Sequence, residues 1–212
     1  MAATADIPGT DGMAALDHAF MFVASEVEAD QLFARDGLRV NYRRQHPGQG
    51  TRNACASLDD VFLELLWLDG TEPSDATGAI GLSARGRGRG SPFGVSWRGE
   101  TDLPTVPYAA PFLPDGVTIP VAKASVDDPT LPFVFQTPGG APPIDRPELT
   151  GDRQTPDLAT LHGVTLYDLD PDRIAWIAEA IDGLAVEAGE PGMTFTLADP
   201  DGRPARTAEW RP

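Results

Sequence analysis

A chain of 212 residues with 41% hydrophobic and 23% charged residues has the length and composition of a globular fold with a sizeable core. Its net charge of -16 opposes attachment to nucleic-acid phosphates, and no apolar run approaches the roughly 20 residues of a membrane span. A single cysteine, Cys55, rules out a disulfide or a cysteine-based zinc site within one chain and fits a reducing, cytoplasmic setting.

Residues 1–14 read as a frayed tail, with no basic start and apolar core to suggest a secretory leader. Residues 16–23 read as a strand, with alternation placing Leu16, His18, Phe20 and Phe22 on one face. Ser25 and Glu28 have the spacing of a capping box and predict a helix that Gly37 ends. Strands are expected at 38–43, 51–58 and 61–68, with the glycine-bracketed turn 46–50 between the first two. The last of them, Val-Phe-Leu-Glu-Leu-Leu-Trp-Leu, is apolar except for Glu64. A carboxylate in such a strand costs several kcal/mol if buried alone, so it calls for a proton, a partner or a metal. Arg43 and Arg52 are candidate partners on neighbouring strands.

Residues 69–90 carry loop signals, with Arg85, Arg87 and Arg89 alternating with glycines. Short strands are expected at 92–98, 117–122 and 132–137, and a Pro-, Tyr- and Phe-rich irregular wall at 103–116. Residues 161–167 are strand-like. Asp170-Pro171 predicts a helix start, followed by the stripe Ile174, Ile177, Ile181 and Leu184. Strands at 184–188, 193–197 and 205–210 complete a second strand-helix-strand-strand-strand run. A degenerate repeat is the simplest reading.

The run His-Pro-Gly-Gln-Gly-Thr at 46–51, Asn53 and Leu-Glu-Leu-Leu-Trp at 63–67 resembles the glyoxalase-like domain proteins of the vicinal oxygen chelate superfamily. Weaker matches are Asp17-His18, Ser91 to Gly94, the loop around Tyr108, and Leu149-Thr150-Gly151. The resemblance implies an α+β fold in which two βαβββ modules form a cup-shaped mixed sheet, with extra strands and loops between them. The expected division is a tail at 1–14, a first module at 15–70, an insertion at 71–157 and a divergent second module at 158–212. It also implies a divalent-metal-dependent lyase, isomerase or dioxygenase acting on a small oxygenated metabolite. The alternative is a metal-free protein that sequesters a small molecule in the same cup.

By the same resemblance His18 and Glu64 would hold the metal (Zn, Fe, Mn or Ni), with His162 as a further ligand and Glu64 as an alternative base. The second module's last strand has no matching glutamate, because Arg203 to Arg206 occupy that neighbourhood. Gln49, Thr51 and Asn53 would hold a ligand oxygen, partly through backbone donors. Arg85 would clamp an anionic group, and Trp97, Tyr108 and Phe112 would wall the pocket. The alternatives are plain: His46 as an exposed turn residue, the arginines on a solvated loop, and Cys55 as a small buried hydrophobe. A small-molecule ligand is expected, without nucleic acid or membrane; by resemblance a homodimer is plausible.

Overall fold

The computed structural model describes residues 14–138, 141–146, 154 and 158–212. The expected tail, apart from Ala14, and the Leu149 to Gly151 match lie outside them. Strand β1 (Ala14–Phe22) leads into helix α1 (Glu26–Arg35), whose first turn is capped by the Ser25 side chain accepting from the Glu28 N–H. The Glu28 carboxylate reaches back to the Ala24 N–H at 2.7 Å, so both predicted capping groups are engaged. Strands β2 (Tyr42–His46), β3 (Thr51–Ser57) and β4 (Phe62–Leu68) follow. The strand expected at 38–43 thus begins only at Tyr42.

Residues 69–90, expected as loop, form two short helices, α2 (Asp75–Ala79) and α3 (Leu82–Gly86). Ser74 caps α2 by accepting from the Thr77 N–H, a local signal masked by the surrounding glycines. Next come β5 (Phe93–Arg98), β6 (Thr105–Tyr108), β7 (Ile119–Ala122), α4 (Lys123–Asp127) and β8 (Phe133–Gln136). Strand β6 lies inside the stretch expected to be irregular. It sits at the sheet edge, pairing only with β7, which is where Pro107 is tolerated.

The large sheet runs β2-β3-β4-β1-β5-β8-β7-β6. On one side of its centre β1 lies parallel to β4, followed by β3 and β2; on the other β5 lies parallel to β8, followed by β7 and β6. The two halves share one strand order and meet at the antiparallel β1–β5 pair. The half that mirrors the first module is therefore built from residues 93–136, inside the expected insertion.

The C-terminal segment expected as second module makes a different sheet. Strand β9 (Thr160–Asp168) is followed by a 3₁₀ turn at Pro171–Arg173, helix α5 (Ala175–Ala180) and strand β10 (Ile181–Asp182). Strands β11 (Leu184–Ala188), β12 (Gly192–Ala198) and β13 (Pro204–Trp210) complete it, in the order β11-β9-β12-β13. Its last strand is an edge instead of a neighbour of the first, so the element order repeats but the pairing does not. β10 leaves this sheet and pairs in parallel with the start of β1.

One core joins the two sheets. Ala19, Met21, Leu63, Leu65, Val95 and Trp97 on the back of the large sheet share it with Val164, Leu166, Ile177, Phe195 and Trp210. Phe33 of α1 meets the Trp210 ring at 6.0 Å, and Trp210 Nε1 donates to Asp36 Oδ2 at 3.0 Å. The opposite face carries a second, aromatic-rich cluster that includes Phe20, Tyr108 and Phe133. Among the described residues no helix is long and apolar enough to cross a membrane.

Trp210 is fully buried between α1 and β12. Truncation to alanine should cost about 3–5 kcal/mol of unfolding free energy. Urea titration by far-UV circular dichroism measures it, and a loss below about 1 kcal/mol would mean that the C-terminal sheet is not part of the cooperative core.

Candidate functional site

Side chains from both halves of the large sheet line a cavity of about 250 Å³. Alternation on β4 turns Leu63, Leu65 and Trp67 into the core, and Phe62, Glu64 and Leu66 toward the cavity. On β1, His18 and Phe20 face it, but Leu16 packs on the opposite side in the core. The reason is a bulge: Leu16 pairs with Trp97 and His18 with Ser96, leaving Asp17 as the additional residue. The expected common face of Leu16 and His18 fails at that bulge.

Asp17 is fully buried. Its Oδ1 accepts from His18 Nδ1 at 2.7 Å and from the Thr137 hydroxyl at 2.9 Å. Its Oδ2 accepts from Arg98 and Arg146, each at 3.2 Å. Burial alone would push this carboxyl upward. The His18 hydrogen bond and charge, the Arg146 charge and the Thr137 hydrogen bond outweigh it and hold the carboxyl below its ordinary value.

With Nδ1 committed to Asp17, His18 presents Nε2 to Glu64, 3.5 Å from Oε2. The other carboxylate oxygen accepts from Asn53 Nδ2 at 2.5 Å, while Asn53 Oδ1 accepts from the Arg44 N–H. Glu64 is thus answered by Asn53 and His18. The two arginines considered as partners are engaged elsewhere: Arg43 pairs with Glu26 and Asp30, and Arg52 reaches Gln45. The His18 ring stacks on Phe62 at 4.3 Å between centroids.

The turn at 46–50 is closed by its own backbone. The Gln49 N–H donates to the His46 carbonyl, and Gly48 and Gly50 take positive φ. The Gln49 N–H is therefore spent, and it is the Gln49 side chain that lines the cavity. Thr51 is fully buried behind it. His46 is a buried cavity residue, unlike the exposed turn residue of the alternative reading. Cys55 lines the cavity too; burial first, then Glu64 and Asp17, pushes its thiol well above the ordinary value, which opposes a thiolate role.

The other half of the sheet contributes aromatics. Phe133 and Phe135 face the cavity from β8, with Tyr108, Phe112, Leu113 and Ile119 beside them. Gly94 of β5 lies under the Phe20 ring so closely that a Cβ would fall 2.1 Å from it. Phe133 and Phe135 carried no sequence signal of their own, because their place follows from the wiring of residues 93–136, and Arg146 reaches the site from the separate segment 141–146.

Three expected site residues are elsewhere. His162 is exposed on β9, in the other sheet. Trp97 is buried in the core behind the large sheet. Arg85 does not clamp a ligand: its guanidinium donates to the carbonyls of Ser91, Ser125 and Leu131, and burial, against the opposing pull of Asp128, brings its pKa down to about 10. Leu82, from the same helix α3, reaches the cavity instead.

His18 Nε2 and Glu64 Oε2 face each other, but a catalytic zinc site takes three protein ligands. Among the described residues no group of three or more His, Cys, Asp or Glu is arranged to hold a metal. These residues do not make a metal centre by themselves.

The depressed carboxyl of Asp17 sets a pH dependence. Its contribution to stability is complete above the unfolded value near pH 4 and is lost as pH falls through the lower folded value. Asp17→Asn should therefore lower stability at neutral pH by about 3–5 kcal/mol, since Arg98 and Arg146 lose their counter-charge. It should also flatten the acid limb. Urea titrations from about pH 7 down to about pH 2.5 check both; parallel wild-type and variant profiles would show that Asp17 does not carry the acid sensitivity.

Residues 16–105, from β1 into the start of β6, match the family described as glyoxalase-like domain. No curated protein matches the sequence. Among solved structures, a hypothetical protein from Staphylococcus aureus is similar over 84% of this chain and 88% of its own, at 11% identity and a TM-score of 0.53. A methylmalonyl-CoA epimerase from Mycobacterium tuberculosis is similar over 62% of this chain and 91% of its own, at 16% identity and a TM-score of 0.41. A hypothetical protein from Bacillus halodurans covers 60% of this chain and 97% of its own, at 16% identity and a TM-score of 0.38. Over residues 16–105 the sequence is thus similar to the glyoxalase-like domain family, and along most of its length the chain shares its fold with the Staphylococcus aureus protein.

Proposed function

We propose that the protein is an enzyme that binds a small oxygenated metabolite in the cavity and moves a proton at a carbon next to its carbonyl group, by isomerase or lyase chemistry. The observation that carries this reading is the pair His18 Nε2 and Glu64 Oε2, 3.5 Å apart on the cavity wall. Each is oriented from behind, His18 by Asp17 and Glu64 by Asn53. A base must be within reach and rigidly aimed before its proton affinity matters. The pair meets that condition, and both groups line the cavity that would hold the ligand.

In the step envisaged, a C–H bond of the ligand breaks and the proton passes to the His18–Glu64 pair. The electron pair moves onto the carbonyl oxygen. Return of the proton to another position completes an isomerisation; loss of a group from the neighbouring carbon completes an elimination. Asp17 stabilises the positive imidazole ring that accepting a proton would create. The aromatic wall of Phe112, Phe133 and Phe135 takes the apolar body of the ligand, and Arg44 stands exposed where a polar or anionic end would emerge. A metal is not needed for any of these residue roles.

A second reading, sequestration of a small molecule without turnover, is favoured by the preponderance of aromatic and aliphatic groups on the β6–β8 side. The two are separated by incubating the protein in D₂O with a panel of small aromatic and branched carbonyl compounds and following their α-protons by NMR. Turnover predicts exchange that falls about 100-fold or more in His18→Gln and Glu64→Gln. Ligand-induced thermal stabilisation without exchange, equal in wild type and Glu64→Gln, would leave sequestration standing instead. Metal analysis of protein purified without chelator should give the same content in wild type, His18→Ala and Glu64→Ala. A stoichiometric ion lost in both variants would replace the metal-free step.

A further inference from the structure

A chain of hydrogen bonds runs behind the cavity from α2 to His46. The Ser74 hydroxyl, which caps the Thr77 N–H, lies 3.1 Å from Thr77 Oγ1. Thr77 Oγ1 is 2.9 Å from the Tyr108 hydroxyl, which donates to Gln49 Oε1 at 3.0 Å. Gln49 Nε2 donates to Thr51 Oγ1 at 2.8 Å, and Thr51 Oγ1 is 2.9 Å from His46 Nδ1. Thr77, Tyr108, Gln49, Thr51 and His46 are all buried. Water therefore does not offer the alternative partners that would let such a chain reverse cheaply.

The chain has a direction, set by the Gln49 amide. A hydroxyl has one proton to give. Tyr108 gives its proton to Gln49, so Thr77 donates to Tyr108. Thr51 accepts from Gln49, and among the described residues His46 Nδ1 is the partner left for its own fully buried proton. Nδ1 of His46 is then an acceptor, and the ring proton sits on Nε2. Burial pushes the imidazole below its ordinary value despite the opposing charge of Glu64, which keeps the ring neutral near pH 7. With Nδ1 held by Thr51 and the ring against Phe112 at 5.0 Å, Nε2 is the nitrogen His46 has for a ligand.

We infer that His46 donates a hydrogen bond through Nε2–H to the ligand oxygen on which negative charge develops, with Thr51, Gln49 and Tyr108 as positioning residues that fix its tautomer. The inference rests on the proton-transfer reading above and completes its charge balance. As the C–H bond breaks toward the His18–Glu64 pair, the displaced electron pair collects on an oxygen that accepts from His46. The two cavity histidines are held in opposite tautomers by opposite neighbours: the Asp17 carboxylate accepts from Nδ1–H of His18, and the Thr51 hydroxyl donates to Nδ1 of His46. One presents an acceptor and the other a donor to the same space. A neutral donor fixed in advance at the position of a forming oxyanion costs no reorganisation during the reaction.

The test uses ¹⁵N-histidine-labelled full-length protein and long-range ¹H–¹⁵N correlation spectra. Wild type should show His46 with its proton on Nε2. Thr51→Val should lose that single tautomer, and Tyr108→Phe should weaken it. An Nδ1-protonated His46 in wild type overturns the inference, whatever the activity. The second arm measures binding of 4-nitrophenolate against nitrobenzene, two probes of similar size of which only the first carries an oxyanion. His46→Phe should lower the ratio of their affinities about tenfold or more, and His46→Gln, which keeps an amide donor, should restore much of it. A ratio unchanged in His46→Phe, or no binding of either probe to wild type, overturns the donor role; a structural role alone would weaken both probes together. If both arms succeed and no carbonyl compound exchanges its proton, it is the proton-transfer reading that fails.

Discussion

A carboxylate with no access to solvent holds this site together. Asp17 is affordable inside the protein only because two guanidiniums, a hydroxyl and an imidazole surround it. Those partners come from β5, from the segment after β8, from residues 141–146 and from β1 itself. One negative charge thus draws four separate stretches of chain to one rim of the cavity. The bulge in β1 is what turns that charge inward, and the orientation of His18 follows from it.

The two halves of the large sheet share a strand order and differ in chemistry. The first contributes His18, His46, Gln49, Asn53 and Glu64; the second contributes Phe133, Phe135, Ile119 and Tyr108. Each half has the same order of strands, but among the cavity-lining residues the histidines and the carboxylate come from the first half. The result is a cavity with a polar wall and an apolar wall, which orients a ligand by its polarity before any specific bond forms. Phe20 fits between them because Gly94, lacking a Cβ, leaves space for its ring.

Much of the first module was legible in the sequence because local rules decide it. Glu64 stood out as a lone charge in an apolar strand, and the cost of leaving it alone called for a proton, a partner or a metal; the fold places Asn53 and His18 beside it. Ser25 and Glu28 marked the start of α1 for a similarly local reason. What was not legible depends on pairing. Nothing in residues 93–136 announces that β5 will lie beside β1, so the mirrored half was sought at 158–212, where a similar order of elements folds into another sheet. Asp17 and Leu16 defeated simple alternation through the bulge. Arg85 read as a ligand clamp because a guanidinium in a loop suits an anionic group; in the fold it ties α3 to α4 and to the segment before β8 through backbone carbonyls.

The short strand β10 has a consequence of its own. Ile181 and Asp182 add to the first residues of β1, Ala14 and Ala15, only two positions before Asp17. The C-terminal segment is therefore not a passenger behind the cup: through β10 it clasps the start of the strand that carries His18. Release of that clasp would fray β1 from its start, reaching the bulge first. A contact outside the cavity lining thus anchors the strand that brings Asp17 and His18 to its rim.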